Sequence, residues 1–378
     1  MISGAILDVI RNWFSGARER NHNEDNMVKV GLIGFGLAGQ AFHAAVIQGA
    51  AGMHLGCILE RHGSKAKEKY PDVRIARTID ELLSDQEIRL CVVATPNDSH
   101  FDYARTCLLA GRDVVVDKPF TPTMAEAEEL VRLAKEHGRL LTVYQNRRFD
   151  GDFYTVKKLV KDETLGTIVE FESRFDRFRL DAKPGAWREK AEQPGAGVLF
   201  DLGPHLIDQA LVLFGEPRSI TASAFCQRET SQIDDAFDVS MEYPRLRVLL
   251  RARIIAYVPS SHFLIHGTKG SFSKLGMDPQ EERLRGETYP KGKDWPADWG
   301  VEPDSSSGTL TLVGEASRKL KSERGDYRGY YANVRDAIEK GAALEVTPDQ
   351  ALRTMRALLL ARKSSREART VRWEEAPE

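Results

Sequence analysis

The chain has 378 residues, 42% hydrophobic and 29% charged, which is enough for two domains with substantial cores. Its 54 basic and 56 acidic residues leave a formal charge of −2, and without a basic stripe or a like-charged tail a nucleic-acid partner is not expected. No apolar run approaches the ~18 residues needed to cross a bilayer, and Cys57, Cys91, Cys107 and Cys226 form no CxxC pair; the expectation is no membrane role, no metal site, and buried free thiols in a reducing cytoplasm.

Residues 1–26 stand apart as an N-terminal extension. Ile2, Ile6, Val9, Ile10, Trp13 and Phe14 fall on one helical face, and Asn21 to Asn26 reads as a polar linker. The apolar run is too short and interrupted for a secretory signal, and Met27, directly before the first strand, reads as an alternative start.

From residue 27 to 148, short apolar strands alternate with helices. Val28–Ile33, Met53–Leu59, Ile88–Ala94, Asp113–Val116 and Leu140–Tyr144 read as strands, several of them apolar on both faces. That pattern means a parallel sheet covered on both sides. Thr78 with Glu81, and Thr123 with Glu126, predict capping boxes. Gly34-Phe35-Gly36-Leu37-Ala38-Gly39 follows the first strand and opens a helix, the context in which GxGxxG binds a dinucleotide pyrophosphate. Gly34, Gly36, Leu37, Ala38 and Gly39 are therefore cofactor candidates.

Glu60, about 20 residues further on at the end of the second strand, is placed to accept hydrogen bonds from ribose hydroxyls. Arg61 follows it and could bind a 2′-phosphate instead, so the choice between NAD and NADP is divided, with NAD slightly favoured. Thr95, Pro96, Asn97 and His100 lie at the carboxyl end of the fourth strand, where such sheets bind ligands. Lys118 lies between an apolar strand and Pro119 at the same crevice. By spacing alone it reads first as a surface lysine.

Residues 149–378 change rhythm. A helix near Asp152–Lys161 leads into strand-like segments at 168–178, 220–227, 237–243, 247–255 and 262–273. Their short connections predict a large, mostly antiparallel open sheet. Residues 276–326 read as surface loops, and helices are expected at 330–339 and 349–361, able to pack back on the first domain. Asp201, His205 and Asp208 are spaced to share one helical face. A carboxylate one turn from an imidazole can orient it and favour its charged form, which suits acid–base work; for an isolated histidine a satisfied core position is the ordinary role.

These motifs in this order resemble the Gfo/Idh/MocA family of oxidoreductases, over roughly Val28 to Arg366. The likeness rests on the glycine turn, on Asp117-Lys118-Pro119, and on Gly195 to Asp208. Tyr144 to Asp150, Phe200 to Gln209 and Gly267 to Phe272 look like the scyllo-inositol dehydrogenase branch. The resemblance implies an α/β architecture: an N-terminal Rossmann domain and a C-terminal α+β domain whose open sheet forms homodimers or homotetramers. It implies Lys118, Asp201 and His205 as catalytic residues, Lys118 also at the cofactor, and Asn146, Arg148, Asp201 and His205 at a small polyol or sugar substrate. The reaction implied is NAD- or NADP-dependent oxidation of a secondary hydroxyl. An NAD-dependent glycosidase of the same family, or a non-catalytic dinucleotide- or sugar-sensing regulator, is the alternative.

Overall fold

In the computed structural model, residues 27–181, 195–258, 260–286 and 292–377 are described. The expectations for residues 1–26 lie outside them.

The first unit is a six-stranded parallel sheet in the order β3-β2-β1-β4-β5-β6. Its strands are β1 (Val28–Ile33), β2 (Met53–Leu59), β3 (Arg74–Ala76), β4 (Leu90–Val93), β5 (Asp113–Val116) and β6 (Leu141–Val143). Four helices join them: α1 (Ala45–Gly49), which continues a π-helical turn over Ala38–Ala44, α2 (Lys65–Lys69), α3 (Ile79–Leu83) and α4 (His100–Leu109). A fifth, α5 (Met124–Glu136), leads into β6. β4 is buried throughout, the signature of a central parallel strand. The order reverses at β1, so the carboxyl ends of β1 and β4 open a crevice there.

The two capping sites differ. Thr123 and Glu126 make both reciprocal bonds at the start of α5. At α3, Thr78 accepts from Glu81 N at 3.2 Å, but the Glu81 carboxylate reaches back one residue too far, to Arg77 N at 2.6 Å. That start is half a box.

The second unit is built on a nine-stranded sheet ordered β14-β13-β12-β11-β7-β10-β9-β8-β15. After α6 (Gly151–Lys161) come β7 (Ile168–Asp176), α7 (Val198–Phe214), β8 (Ser219–Phe225), β9 (Ala236–Glu242), β10 (Arg247–Arg253), β11 (Ser261–Gly267) and β12 (Gly270–Leu275). Then follow α8 (Gln280–Arg285), β13 (Gly308–Leu312), β14 (Arg318–Leu320), α9 (Arg328–Lys340), α10 (Pro348–Glu367) and β15 (Val371–Arg372). Only β7 and β10 pair in parallel. The segment at 262–273 is a hairpin turning at Thr268-Lys269, because Gly267 and Gly270 pair across it.

The polar stretch 276–326 is more than surface loop. It holds α8, β13 and β14, and it buries Trp299, Asp278 and Gln280. Gln280 Oε1 accepts from Trp299 Nε1 and Tyr327 N, and that bonding is what allows polar sequence to run through the interior.

The C-terminal helices return to the first unit. Tyr330, Tyr331 and Val334 of α9 join Val28, Val30 and Ile47 in one apolar core. Leu358, Leu359 and Leu360 of α10 join the other core, which holds Leu130, Leu206 and Phe237. Cys57, Cys91 and Cys107 are buried free thiols, as composition suggests; Cys226 departs from that expectation and is exposed. Among the described residues, no helix is long and apolar enough to cross a membrane.

Candidate active site

The crevice begins at the glycine turn. Gly34 has φ +98°, and a Cβ there would stand 2.7 Å from the Ala94 carbonyl oxygen. A Cβ on Gly39 would stand 2.2 Å from the Gly34 oxygen, so two of the glycines are demanded by close backbone packing. Gly36 differs: nothing lies within 4 Å of the missing Cβ. The bare backbone over open space at a helix start is the cradle a pyrophosphate needs, and the residues present fit a dinucleotide. Leu37 and Ala38, next in line, border a cavity that Lys118, Asp201 and His205 also line.

Glu60 does not stand free at the end of β2. It is buried, Oε2 accepts from Ala66 N at 3.2 Å, and Arg77 Nη1 donates to its carbonyl at 2.6 Å. The carboxylate thus serves the first turn of α2, while Arg61 is exposed. At the end of β4, Thr95 is partly buried and Pro96 exposed, whereas Asn97 is buried and donates to Gly195 O at 3.0 Å. His100 is fully buried, with its ring nitrogens 3.0 and 2.9 Å from the Pro119 and Thr95 carbonyl oxygens. It ties two crevice turns together.

Lys118 and the start of α7 meet across this crevice. Lys118 Nζ lies 3.1 Å from Asp201 Oδ1 and also donates to the Asp201 carbonyl. Asp117 accepts from Lys118 N at 2.8 Å, and His43 Nε2 stands 3.7 Å from the same carboxylate oxygen. Burial works to raise the Asp117 pKa, but His43 and Lys118 hold it below the ordinary carboxylate range. His43 in turn lies 2.6 Å, through Nδ1, from the Tyr331 hydroxyl of α9. His43 was not singled out by its sequence; its position just beyond the glycine turn was the signal.

α7 starts at Val198 because Asp234 caps it. Val198 N donates to the Asp234 carbonyl at 2.9 Å, and Leu199 N donates to Asp234 Oδ2 at 2.7 Å. Gly197, with φ +89°, permits this, since a Cβ would fall 2.1 Å from Asp234 Oδ1. Burial pushes the Asp234 carboxyl up to about 6. Pro204 sits inside the helix, beyond its first turn.

His205 is buried at the cavity wall, and its Nδ1 has no hydrogen-bond partner. Its pKa lies well below the usual imidazole value of 6.5; burial is the main cause, with Lys118 and Arg147 adding to it. Asp201 pulls the other way and is outweighed. The charged imidazole expected from the sequence is thus corrected: His205 is neutral near pH 7, and the Asp201 carboxylate serves Lys118. A neutral imidazole accepts a proton, so oxidation of a hydroxyl should lose rate only as pH falls through the depressed pKa. The acid limb of the kcat/KM profile is expected below pH 6.5, and a limb at or above that value would contradict the burial argument.

Asp208 and Arg148 are elsewhere. Arg148 Nε and Nη2 each lie 2.7 Å from the Asp208 carboxylate, and Nη1 donates to Glu345 O and Gln350 Oε1. Both residues are buried, and neither lines the cavity. The expectation of Arg148 at the substrate is therefore corrected; its neighbour Arg147 lines the cavity, together with Asn146. Arg177 and Arg179, just beyond β7, line it too, as do Arg228, Glu281 and Arg285. Glu281 and Arg285 lay hidden in the stretch read as surface loops.

Residues 28–145 match the family model described as oxidoreductase family, NAD-binding Rossmann fold, and residues 157–372 match its C-terminal alpha/beta domain. The chain is 41% identical to the uncharacterized oxidoreductase YdgJ of Escherichia coli, over 91% of this chain and 98% of that one. It is 36% identical to the scyllo-inositol 2-dehydrogenase (NADP(+)) IolW of Bacillus subtilis, over 92% and 96%. The solved structure of the oxidoreductase YPO2259 from Yersinia pestis superimposes with a TM-score of 0.86 at 38% identity, covering 93% of this chain and 99% of that one. With both domain models matched in order and relatives of this identity along nearly its whole length, the chain belongs to the Gfo/Idh/MocA family of oxidoreductases.

Proposed function

We propose that this protein is an NAD(P)-dependent dehydrogenase acting on a secondary hydroxyl of a polyol, an inositol or a sugar. The observation that carries the reading is the convergence of Lys118, Asp201 and a neutral His205 on one cavity that also reaches Leu37 and Ala38 of the glycine turn. When bound, the nicotinamide dinucleotide supplies a two-electron acceptor, held by Gly34 to Gly39 and by Thr95 and Pro96. His205 takes the hydroxyl proton on its imidazole. Lys118, fixed by Asp201, places positive charge beside the oxygen as negative charge develops there. Asn146 lies on the wall to orient the substrate. The likeness to a scyllo-inositol dehydrogenase supports the polyol class. Mixing the protein with inositols, sugar alcohols and aldoses and following reduced nicotinamide tests the reading.

At the end of β2, Glu60 Oε2 already accepts from Ala66 N of α2, and the exposed Arg61 follows it. We read the β2 end as accepting NADP, with the exposed Arg61 facing a 2′-phosphate. Arg61→Ala is then expected to lower kcat/KM for NADP about tenfold, the worth of one charge-assisted hydrogen bond, and to leave NAD nearly untouched. Glu60→Ser should shift the ratio little. A native preference for NAD that Glu60→Ser reverses would contradict this assignment.

The open sheet supports association into dimers or tetramers. Glu172, Asp238, Arg251 and Arg253 form ion pairs on a face of β7, β9 and β10 opposite α7 and α10, and Leu249 lies among them. Light scattering at micromolar concentration should give a mass of at least two chains; a monomer would remove this proposal.

A further inference from the structure

The Glu281 end of the cavity holds more positive charge than the wall can answer. Three guanidiniums converge on one carboxylate. Arg147 donates to Oε2, while Arg177 Nη2 and Arg285 Nη1 share Oε1 at 3.1 and 2.9 Å. Burial alone would raise the Glu281 pKa, yet the three arginines hold it below its ordinary range, so this carboxylate is ionised. The other acids on the wall already have work: Asp117 accepts from Lys118 N and faces His43, Asp201 holds Lys118, Asp235 holds Arg228, and Asp234 caps α7. Arg147 is buried and also bonds Asp150. Arg177 and Arg285 are different, with side chains 33% and 35% exposed in the cavity wall.

Arg177 is also pre-set in position. The guanidiniums of Arg177 and Arg147 each lie 4.6 Å from the centroid of the Phe175 ring. Burial lowers the Arg177 pKa, and the nearby Arg147 and Arg285 lower it further. It lines the same cavity as Asp201, His205 and Lys118. A desolvated, crowded cation that still has donors to spare is a poor partner for a neutral hydroxyl and a good one for an oxyanion.

We propose that the substrate is a polyol or sugar bearing an oxyanion, a carboxylate or a phosphate ester, held by Arg177 and Arg285 while its hydroxyl faces His205 and Lys118. This rests on the dehydrogenase reading above.

The test is steady-state kinetics on matched sets with one carbon skeleton: glucitol against gluconate and glucitol 6-phosphate, and myo-inositol against its monophosphate. One anionic member should exceed its neutral partner in kcat/KM by about tenfold or more. The carboxylate and phosphate arms show which oxyanion fits. In Arg285→Gln the anionic-to-neutral ratio should collapse towards one, chiefly through KM, and Arg285→Lys should restore part of it. Neutral members turned over at least as fast as both anions, with the ratio unmoved in Arg285→Gln, would overturn the proposal and leave the dehydrogenase intact. No reduced nicotinamide from any member would overturn the dehydrogenase reading, and this proposal with it.

Discussion

Lys118→Ala and His205→Ala are each expected to lower kcat by about 10²-fold or more while dinucleotide affinity changes little. The expectation follows from what each side chain touches. His205 is an imidazole in the cavity wall whose pKa burial holds well below its usual value, so it is neutral near pH 7, the state a proton acceptor requires. Lys118 is anchored twice to Asp201, by the carboxylate and by the carbonyl. Its charge is therefore already in place when the substrate oxygen becomes negative, and no reorganisation is needed at that moment. Tryptophan-fluorescence titration with the dinucleotide should give affinities close to native. A folded variant of either that turns over at near-native rate would remove that residue from the chemistry.

Arg148→Met is expected to cost about 3–5 kcal/mol of stability, because it strands the Asp208 carboxylate in the interior. Asp208 is buried on α7, and among the described residues its hydrogen-bond partner besides Arg148 is the Thr354 hydroxyl, at 3.2 Å. The guanidinium also joins Glu345 and Gln350, so one side chain links the 3-10 turn Asn146–Phe149, α7 and the start of α10. Urea unfolding monitored by circular dichroism reads the loss. Substrate KM in the folded fraction should stay near native, since Arg148 does not line the cavity. Unchanged stability with a greatly raised KM would instead make Arg148 a substrate ligand.

The comparison of Arg147 with Arg148 shows where the sequence stopped being informative. Both are basic, adjacent and in one motif. In the 3-10 turn Asn146–Phe149 successive side chains point about a third of a turn apart, and only the fold decides which meets the cavity. Glu60 is a different case. Its place at the end of β2 was legible, but nothing local in the sequence announces that its Oε2 accepts from Ala66 N of the next helix. The Asp201–His205 pair was legible as a helical face, yet the imidazole's charge depended on burial and on Lys118 and Arg147 from other elements. Strand β3 was missed because three residues carry no period, and α8 because its apolar content is a single buried leucine, Leu284. By contrast, long apolar strands and the glycine turn carry local physics strong enough to read directly, as β1, β2 and β5 do.

The central claim is that this cavity oxidises a hydroxyl. Its most direct test is a stoichiometric one: incubate the native protein with polyols, inositols and sugar acids and with each dinucleotide, and measure reduced nicotinamide and carbonyl product together. The account predicts equal amounts of the two, abolished in His205→Ala. Tight dinucleotide binding without reduced nicotinamide from any substrate would contradict it and favour a sensing protein. An aglycone released from a glycoside with no net reduced nicotinamide would contradict it in favour of a glycosidase.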